Sequence, residues 1–291
     1  TDIKDYIEFL QITWERKVSV PGMPVDPVKI VVDISNGSAG NVFRLLGETE
    51  GIELILLNKE PDGSFPNHNP NPLEKESRLQ IARAVKEKKA AAGAILDGDG
   101  DRVLFVDENG EMIQNYFMAA LIAEELFESF PGRAVVYDLI SSRVLPERIT
   151  ECGGKPVEAK VGYTNIYDMM IESDAIFGAE ASGHVYFKVS HNYYTESAAY
   201  AVLVLLKLLM RRQAPLSSLI APLKRRYFQA EEVNSHIKDK EGAMKRVADH
   251  YKDFIASTLD GLSIDAGDYW FNVRPSNTEP LLRLRLEAKT E

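Results

Sequence analysis

The sequence predicts an α/β protein: two related three-layer α/β domains with mixed, mostly parallel sheets, followed by a smaller C-terminal α+β domain. Three observations carry this. Short β-branched runs alternate with segments whose apolar residues recur at helical spacing; the same block restarts after residue 110; and beyond about residue 213 the pattern becomes strands around one long polar helix. Such alternation implies parallel strands covered by helices on both faces. The 291 residues are 45% hydrophobic and 27% charged, which supplies apolar material for several cores and excludes disorder, collagen and a disulfide-stapled miniature scaffold.

Residues 1–27 read as a connector, a helix over 3–14 with Ile3, Ile7, Leu10 and Trp14 on one face, then a stretch interrupted by Pro21, Pro24 and Pro27. In the first α/β domain, 28–110, a β-branched strand over 28–32 enters the small-residue turn 33–40 and a helix over 41–46. A second strand covers 52–57. Pro66, Pro70 and Pro72 hold the Phe-Pro-Asn-His-Asn-Pro-Asn-Pro loop 65–72 extended before a charged amphipathic helix over 74–89. A third strand, 92–96, ends at Asp97. Past the hairpin-like 107–110, the second domain, 111–212, repeats the order: helix 116–130, strand 134–138, helix 142–152, strand 155–159, helix 165–172, strand 175–178. The third domain, 213–291, holds the polar helix 239–254 and ends in strands 270–273 and 281–286.

Composition narrows the function classes. The most apolar run, 200–210, is about half the ~20 residues a membrane-spanning helix needs, and Lys207 interrupts it. The opening Asp2, Lys4, Asp5 and Glu8 lack the basic-then-apolar order of a signal peptide, so a cytoplasmic location is expected. Cys152 is the single cysteine and cannot form an internal disulfide. Thirty-four Lys plus Arg against forty-four Asp plus Glu give a net charge of −10, which opposes general affinity for nucleic acid or an anionic membrane. Small molecules are the expected partners.

Three loops carry chemistry. Asp97-Gly-Asp-Gly-Asp-Arg102 follows a strand directly, and carboxylates at alternate positions with glycines between them can turn their oxygens toward one hard cation such as Mg²⁺. An EF-hand is excluded: its sixth position needs glycine where Arg102 stands, and residues 103–106 read as strand rather than exiting helix. Gly178-Ala-Glu-Ala-Ser-Gly-His184 also follows a strand, where open α/β sheets bind ligands; Glu180 can accept from two neighbouring sugar hydroxyls, Ser182 can donate or accept, and His184 can bond a hydroxyl or phosphate. Arg274-Pro-Ser-Asn-Thr-Glu-Pro280 joins two strands, and a guanidinium followed by hydroxyls, an amide and turn N–H groups makes a cradle for a phosphate dianion.

In this order and on these domains, the three loops resemble those of the α-D-phosphohexomutases, in the phosphomannomutase/phosphoglucomutase branch, and the loop 65–72 and the turn at Gly37 fit as well. The resemblance spans essentially the whole chain. It implies an isomerase that moves a phosphoryl group between C1 and C6 of a hexose through a bisphosphorylated intermediate. It implies that Asp97, Asp99 and Asp101 ligate Mg²⁺ and that Arg102 steadies the transferring phosphoryl. Glu180, Ser182 and His184 would lie at the sugar, and Arg274, Ser276, Asn277 and Thr278 would hold the phosphate that is not being transferred. Phosphoryl transfer needs in-line positioning and neutralised oxygen charge, which a metal and an arginine supply.

The chain also departs from the family pattern. The Thr-Ala-Ser-His-Asn-Pro loop, whose serine carries the phosphoryl group on an additional N-terminal domain, is absent from these residues; Ser190-His-Asn192 copies three letters in an unrelated setting. A chain lacking that domain, which would pack on domain 28–110, is expected to be inactive alone. Leu139-Ile140 stand where some members have a lysine, and Tyr163 where a histidine is common, so Tyr163 and His184 are the candidates for proton transfer. The competing expectation is a non-catalytic sugar-phosphate-binding protein. A metal-dependent phosphatase would need a second aspartate and a Thr or Lys motif that the sequence does not show.

Overall fold

Residues 28–113 build the first sheet, with strand order β2-β1-β3-β4-β5, in a computed structural model that describes residues 10, 27–46, 51–191, 193–230, 232–276 and 280–291. Its strands are β1 (Val28–Asp33), β2 (Ile52–Leu57), β3 (Ala92–Leu96), β4 (Val103–Asp107) and β5 (Met112–Ile113). The first three run parallel, Val31 lying between Ile55 and Gly93, while β4 and β5 return antiparallel. β3 and β4 are buried throughout, as expected of strands covered on both faces. Helix α1 (Gly40–Leu46) follows β1, and α2 (Lys75–Lys88) covers one face of the sheet through Ile81 and Val85. The helix and proline connector expected over 1–27 lie outside the described residues apart from Pro27 and Leu10, the latter helical and fully buried.

The second unit repeats the plan. Helix α3 (Asn115–Phe127) precedes β6 (Ala134–Asp138), α4 (Val144–Glu151), β7 (Lys155–Ala159), α5 (Tyr163–Glu172), β8 (Phe177–Ala179), β9 (Val185–Ser190), β10 (Tyr193–Glu196), α6 (Ala198–Arg212) and α7 (Leu216–Lys224). The sheet order is β10-β9-β8-β6-β7, again parallel in its β8-β6-β7 part and antiparallel beyond it. The two units share one continuous core: α3 touches both β4 and β8, α6 touches β1, and their residues form a single apolar cluster with both sheets. This placement explains the composition of α6. A helix surrounded by protein is apolar on every side, and Lys207 is accommodated because its ammonium lies 3.2 Å from the buried Glu125 carboxylate.

Residues 216–224, expected to open the strand-rich part, form α7 instead, and Leu216, Ile220 and Leu223 join the shared core. The third sheet contains β11 (Phe228–Gln229), β12 (Val233–His236), β13 (Ile255–Ser257), β14 (Leu262–Asp265), β15 (Tyr269–Pro275) and β16 (Leu281–Ala288). Its order is β11-β16-β15-β14-β13, with β12 also on β16 and every pairing antiparallel. Helix α8 (Lys240–His250) covers it through Ala243, Met244 and Val247 and is capped by Asp239, whose Oδ1 accepts from Gly242 N at 2.8 Å. Two related α/β units with mixed sheets and a smaller α+β unit are thus observed. Among the described residues, no helix is long and apolar enough to cross a membrane.

Candidate functional site

The loops after β1, β2 and β3 converge because three parallel neighbouring strands end at the same sheet edge. Gly37 packs so closely on the loop after β3 that a β-carbon there would lie 2.4 Å from the carbonyl oxygen of Gly98. Ser38 N donates to that same oxygen at 2.9 Å, and Ser35 Oγ donates to Leu96 O at 2.5 Å. The proline-rich loop closes the other side: the ring of Phe65 and Pro70 lie against Gly98.

On this support the carboxylates of Asp97, Asp99 and Asp101 each place an oxygen within 4.8 Å of the others. Asp97 is buried, and its Oδ1 accepts from Gly100 N at 3.0 Å and Arg102 N at 3.1 Å, while its Oδ2 accepts from Arg102 Nε at 2.6 Å. Burial raises the Asp97 carboxyl, and the Arg102 guanidinium more than offsets this, leaving it below its ordinary value. Asp101 goes the other way: burial first, then the adjacent Asp97, push its carboxyl up to about 7, and its Oδ1 is buried without a hydrogen-bond partner. The residues fit a hard dication. The orphaned Asp101 oxygen and the raised Asp101 carboxyl mark crowded carboxylates whose repulsion a cation would relieve, and three oxygen donors suit Mg²⁺.

Across the junction, Val103 N donates to Gly183 O at 3.0 Å and an isolated bridge joins Arg102 to His184, so the second unit's loop abuts the aspartate loop. His184 Nδ1 lies 2.9 Å from Glu196 Oε1 and 3.6 Å from Asp101 Oδ2. Burial would lower its pKa, but the Glu196 carboxylate, with Asp101 and Glu180 behind it, holds it above the ordinary value. With Asp101, His184 and Glu196 form a second group whose potential ligand atoms lie within 4.8 Å of one another. Glu180 is buried: Oε1 accepts from Tyr186 OH at 2.6 Å and Oε2 from Gly162 N at 2.8 Å, which leaves one lone pair on each oxygen for a ligand. Ser182 Oγ is buried without a partner. Tyr163 is half exposed at the start of α5 and, with Asp99, Asp101 and Glu196, lines a cavity of about 520 Å³.

The third loop stands apart. Arg274 pairs at 3.6 Å with Asp260 in the turn before β14, Ser276 is buried with its carbonyl accepting from Lys240 Nζ at 3.0 Å, and Asn277 and Thr278 lie outside the described residues. Among the described residues, no hydrogen bond or ion pair links Arg274 to the aspartate loop. The structure therefore brings together Asp97, Asp99, Asp101, Arg102 and His184, with Glu180 and Ser182 on the same loop as His184.

Several supporting residues escaped sequence reasoning. Asp138, at the end of β6, accepts from Ala181 N at 2.9 Å and Ser141 Oγ at 2.6 Å, and so positions the Glu180–His184 loop. Its place at a strand's C-terminal end was the available signal. Asn115 Nδ2, 2.6 Å from Glu180 O, and Glu196 at His184 had no local signal, because a lone amide or carboxylate beside a strand is usually solvated.

Comparison with known proteins gives matches along most of the chain. Residues 4–110 match the family described as phosphoglucomutase/phosphomannomutase, alpha/beta/alpha domain II, residues 114–227 the corresponding domain III, and residues 232–291 the C-terminal domain. A phosphomannomutase of Methanocaldococcus jannaschii is 39% identical over 263 residues, covering 90% of this chain and 58% of its own length. Phosphohexose mutases of Xanthomonas campestris are 35% identical over 291 residues, covering 99% of this chain and 63% of theirs. The chain thus spans about three fifths of the length of these curated relatives. A phosphoglucomutase/phosphomannomutase family protein of Burkholderia thailandensis superposes with a TM-score of 0.85 at 31% identity, over 99% of this chain and 60% of that one. The N-acetylphosphoglucosamine mutase of Aspergillus fumigatus, solved with GlcNAc-6P and magnesium, shares the fold at a TM-score of 0.69 and 18% identity, over 99% of this chain and 62% of that one.

Proposed function

Because this chain belongs to the phosphoglucomutase/phosphomannomutase family of α-D-phosphohexomutases, we propose that it forms the cation- and sugar-phosphate-binding part of a hexose-phosphate mutase. The reaction would interconvert hexose 1-phosphate and hexose 6-phosphate through a bisphosphorylated sugar. The observation that carries this reading is the three-aspartate loop with its orphaned Asp101 oxygen, set against His184 and Glu196 of the neighbouring unit.

Asp97, Asp99 and Asp101 would hold Mg²⁺, which neutralises charge on a phosphoryl group when bound. Arg102, anchored through Nε on Asp97 and through Nη1 on Asn71, keeps Nη2 for a phosphoryl oxygen. His184, with Nδ1 on Glu196, has Nε2 left to exchange a proton with a sugar hydroxyl; the carboxylate orients the ring and stabilises the imidazolium. Glu180 and Ser182 would read the sugar hydroxyls, the buried Ser182 Oγ gaining its missing partner from the ligand. Arg274, Ser276, Asn277 and Thr278 would grip the second phosphate, and rotation of the third unit would bring that grip over either end of the sugar.

A polypeptide of these 291 residues has no Ser-His-Asn-Pro loop to donate the phosphoryl group, so we expect binding without efficient turnover. Incubation with mannose 1-phosphate and a hexose bisphosphate should give no mutase product, and calorimetry with Mg²⁺ should show saturable binding. Asp99 is exposed and its side chain makes no hydrogen bond among the described residues, so Asp99→Asn should weaken Mg²⁺ binding at least ~10-fold with no loss of thermal stability. Unchanged Mg²⁺ affinity in that variant would remove the metal reading, and robust turnover by the chain alone would refute its dependence on a further domain.

A further inference from the structure

The loop Phe65–Pro72 takes no part in the proposed chemistry, yet it carries a histidine bound from both sides. His68 Nε2 lies 3.1 Å from Asp33 Oδ2, and His68 Nδ1 lies 2.8 Å from the carbonyl oxygen of Asn69. Both partners are acceptors. A neutral imidazole has one N–H and would turn a ring lone pair toward one of these oxygens, whereas the doubly protonated ring satisfies both. Burial makes the choice matter, since the His68 and Asp33 side chains are only 7% and 0% exposed. Asp33 Oδ1 is already taken by Ser35 N and Asn58 Nδ2, each at 2.9 Å, so an imidazolium at His68 would supply the counter-charge of the carboxylate through Oδ2.

This pair is wired to the aspartate loop by two routes. Ser35, bonded to Asp33, donates through Oγ to Leu96 O at the end of β3. In the other direction, Asn71 Oδ1 accepts from Arg102 Nη1 at 3.4 Å, while Asn67 Nδ2 holds Asn36 Oδ1 at 2.8 Å. The Asn69 carbonyl is itself fixed by Ser77 Oγ of α2 at 2.8 Å. The groups around the ring are the Asp33 carboxylate from β1, neutral Asn58 after β2, neutral Ser77 from α2, Glu74 bonded to the Asn69 side chain, and Arg102 beyond Asn71.

We propose that His68 is a cationic positioning residue: as an imidazolium it ties the loop Phe65–Pro72 to the end of β1 and thereby holds Arg102 and the aspartate loop in their cation-binding form. The hydrogen bond to Asp33, outweighing burial, keeps the ring protonated above the ordinary histidine range. The sign follows: the clamp is fully present below the ordinary histidine range and is lost as pH rises through the raised pKa.

The inference rests on Asp97, Asp99 and Asp101 being the cation ligands, and its test separates the two. In long-range ¹H–¹⁵N correlation spectra of the 291-residue chain at neutral pH, both ring nitrogens of His68 should carry protons; a single protonated nitrogen overturns the proposal. Mg²⁺ titrations should show His68→Phe and His68→Gln binding about 10-fold more weakly, as for other groups behind metal ligands. Wild-type affinity should fall as pH rises through the His68 titration, and the His68→Phe profile should lack that fall. If Asp99→Asn abolishes Mg²⁺ binding while both His68 variants bind as wild type, the inference fails and the metal reading stands. If Asp99→Asn binds normally, the metal reading has failed.

Discussion

Single residues in this protein are governed by where a carboxylate can find a donor. Asp138 is fully buried, and burial pushes its carboxyl up to about 6 despite the hydrogen bonds from Ser141 Oγ and Ala181 N, with the nearby Glu180 adding to the rise. A raised carboxyl binds its proton more tightly in the folded state, so its contribution to stability falls as pH rises from 3.8 toward about 6 and is level above. Asp138→Asn should remove that part of the slope. The difference in unfolding free energy between wild type and variant, measured by urea titration, should change by at most about 3 kcal/mol across this window. Asp99 lies in an acidic loop that was legible as a candidate cation site because three carboxylates at alternate positions repel unless something binds them. The partners of His184 and Glu180 were not, since nothing local distinguishes Glu196 or Tyr186 from a solvated carboxylate or a core ring.

At the scale of elements, alternation of strand and helix patterns was readable because each element advertises its period: 2 or an unbroken apolar run for strands, 3.6 for helices. The exceptions have physical causes. Residues 216–224 became α7 because Leu216, Ile220 and Leu223 recur at helical spacing and meet the shared core. The run at 200–210 looked half-suited to a membrane because α6 is enclosed by α3 and the first sheet. Loop contact is tested most directly at Gly37, where a β-carbon would press on Gly98 O at 2.4 Å. Gly37→Ala should destabilise the protein by about 1–3 kcal/mol and displace the aspartate loop. Gly63→Ala, with nothing within 4 Å of its added carbon, should leave thermal unfolding unchanged. Equal melting temperatures for the two variants would contradict this close approach.

For the whole molecule, the question is how the third unit is joined to the other two. Glu287 of β16 is buried and accepts from Trp270 Nε1 at 2.8 Å, Gln229 Nε2 at 2.6 Å and Arg143 N at 3.0 Å, the last from the residue preceding α4. Arg143 also pairs with Asp265 of β14. The joint is polar, whereas the first two units share an apolar core. Glu287→Ala leaves three donors without their acceptor and should cost on the order of 3 kcal/mol. Calorimetry should then resolve the third unit melting before the other two, while Glu287→Gln should fall between; a single unshifted transition in Glu287→Ala would show that the joint does not depend on this carboxylate.

The sequence by itself determined the class of fold, the strand and helix alternation up to residue 178 and the three loops of interest, because periodicity, turn residues and closely spaced carboxylates act over a few neighbouring residues. Tertiary structure alone decided that Asp33 meets His68, that His184 faces Asp101 from another unit, that Arg102 leans on Asp97 and that Glu287 anchors the last sheet. Apart from the Asp97–Arg102 contact, these partners lie tens of residues apart, and their pairing follows from which strand ends are brought side by side and how much water packing removes. A local pattern names the groups that can react; the packing selects which of them share a charge.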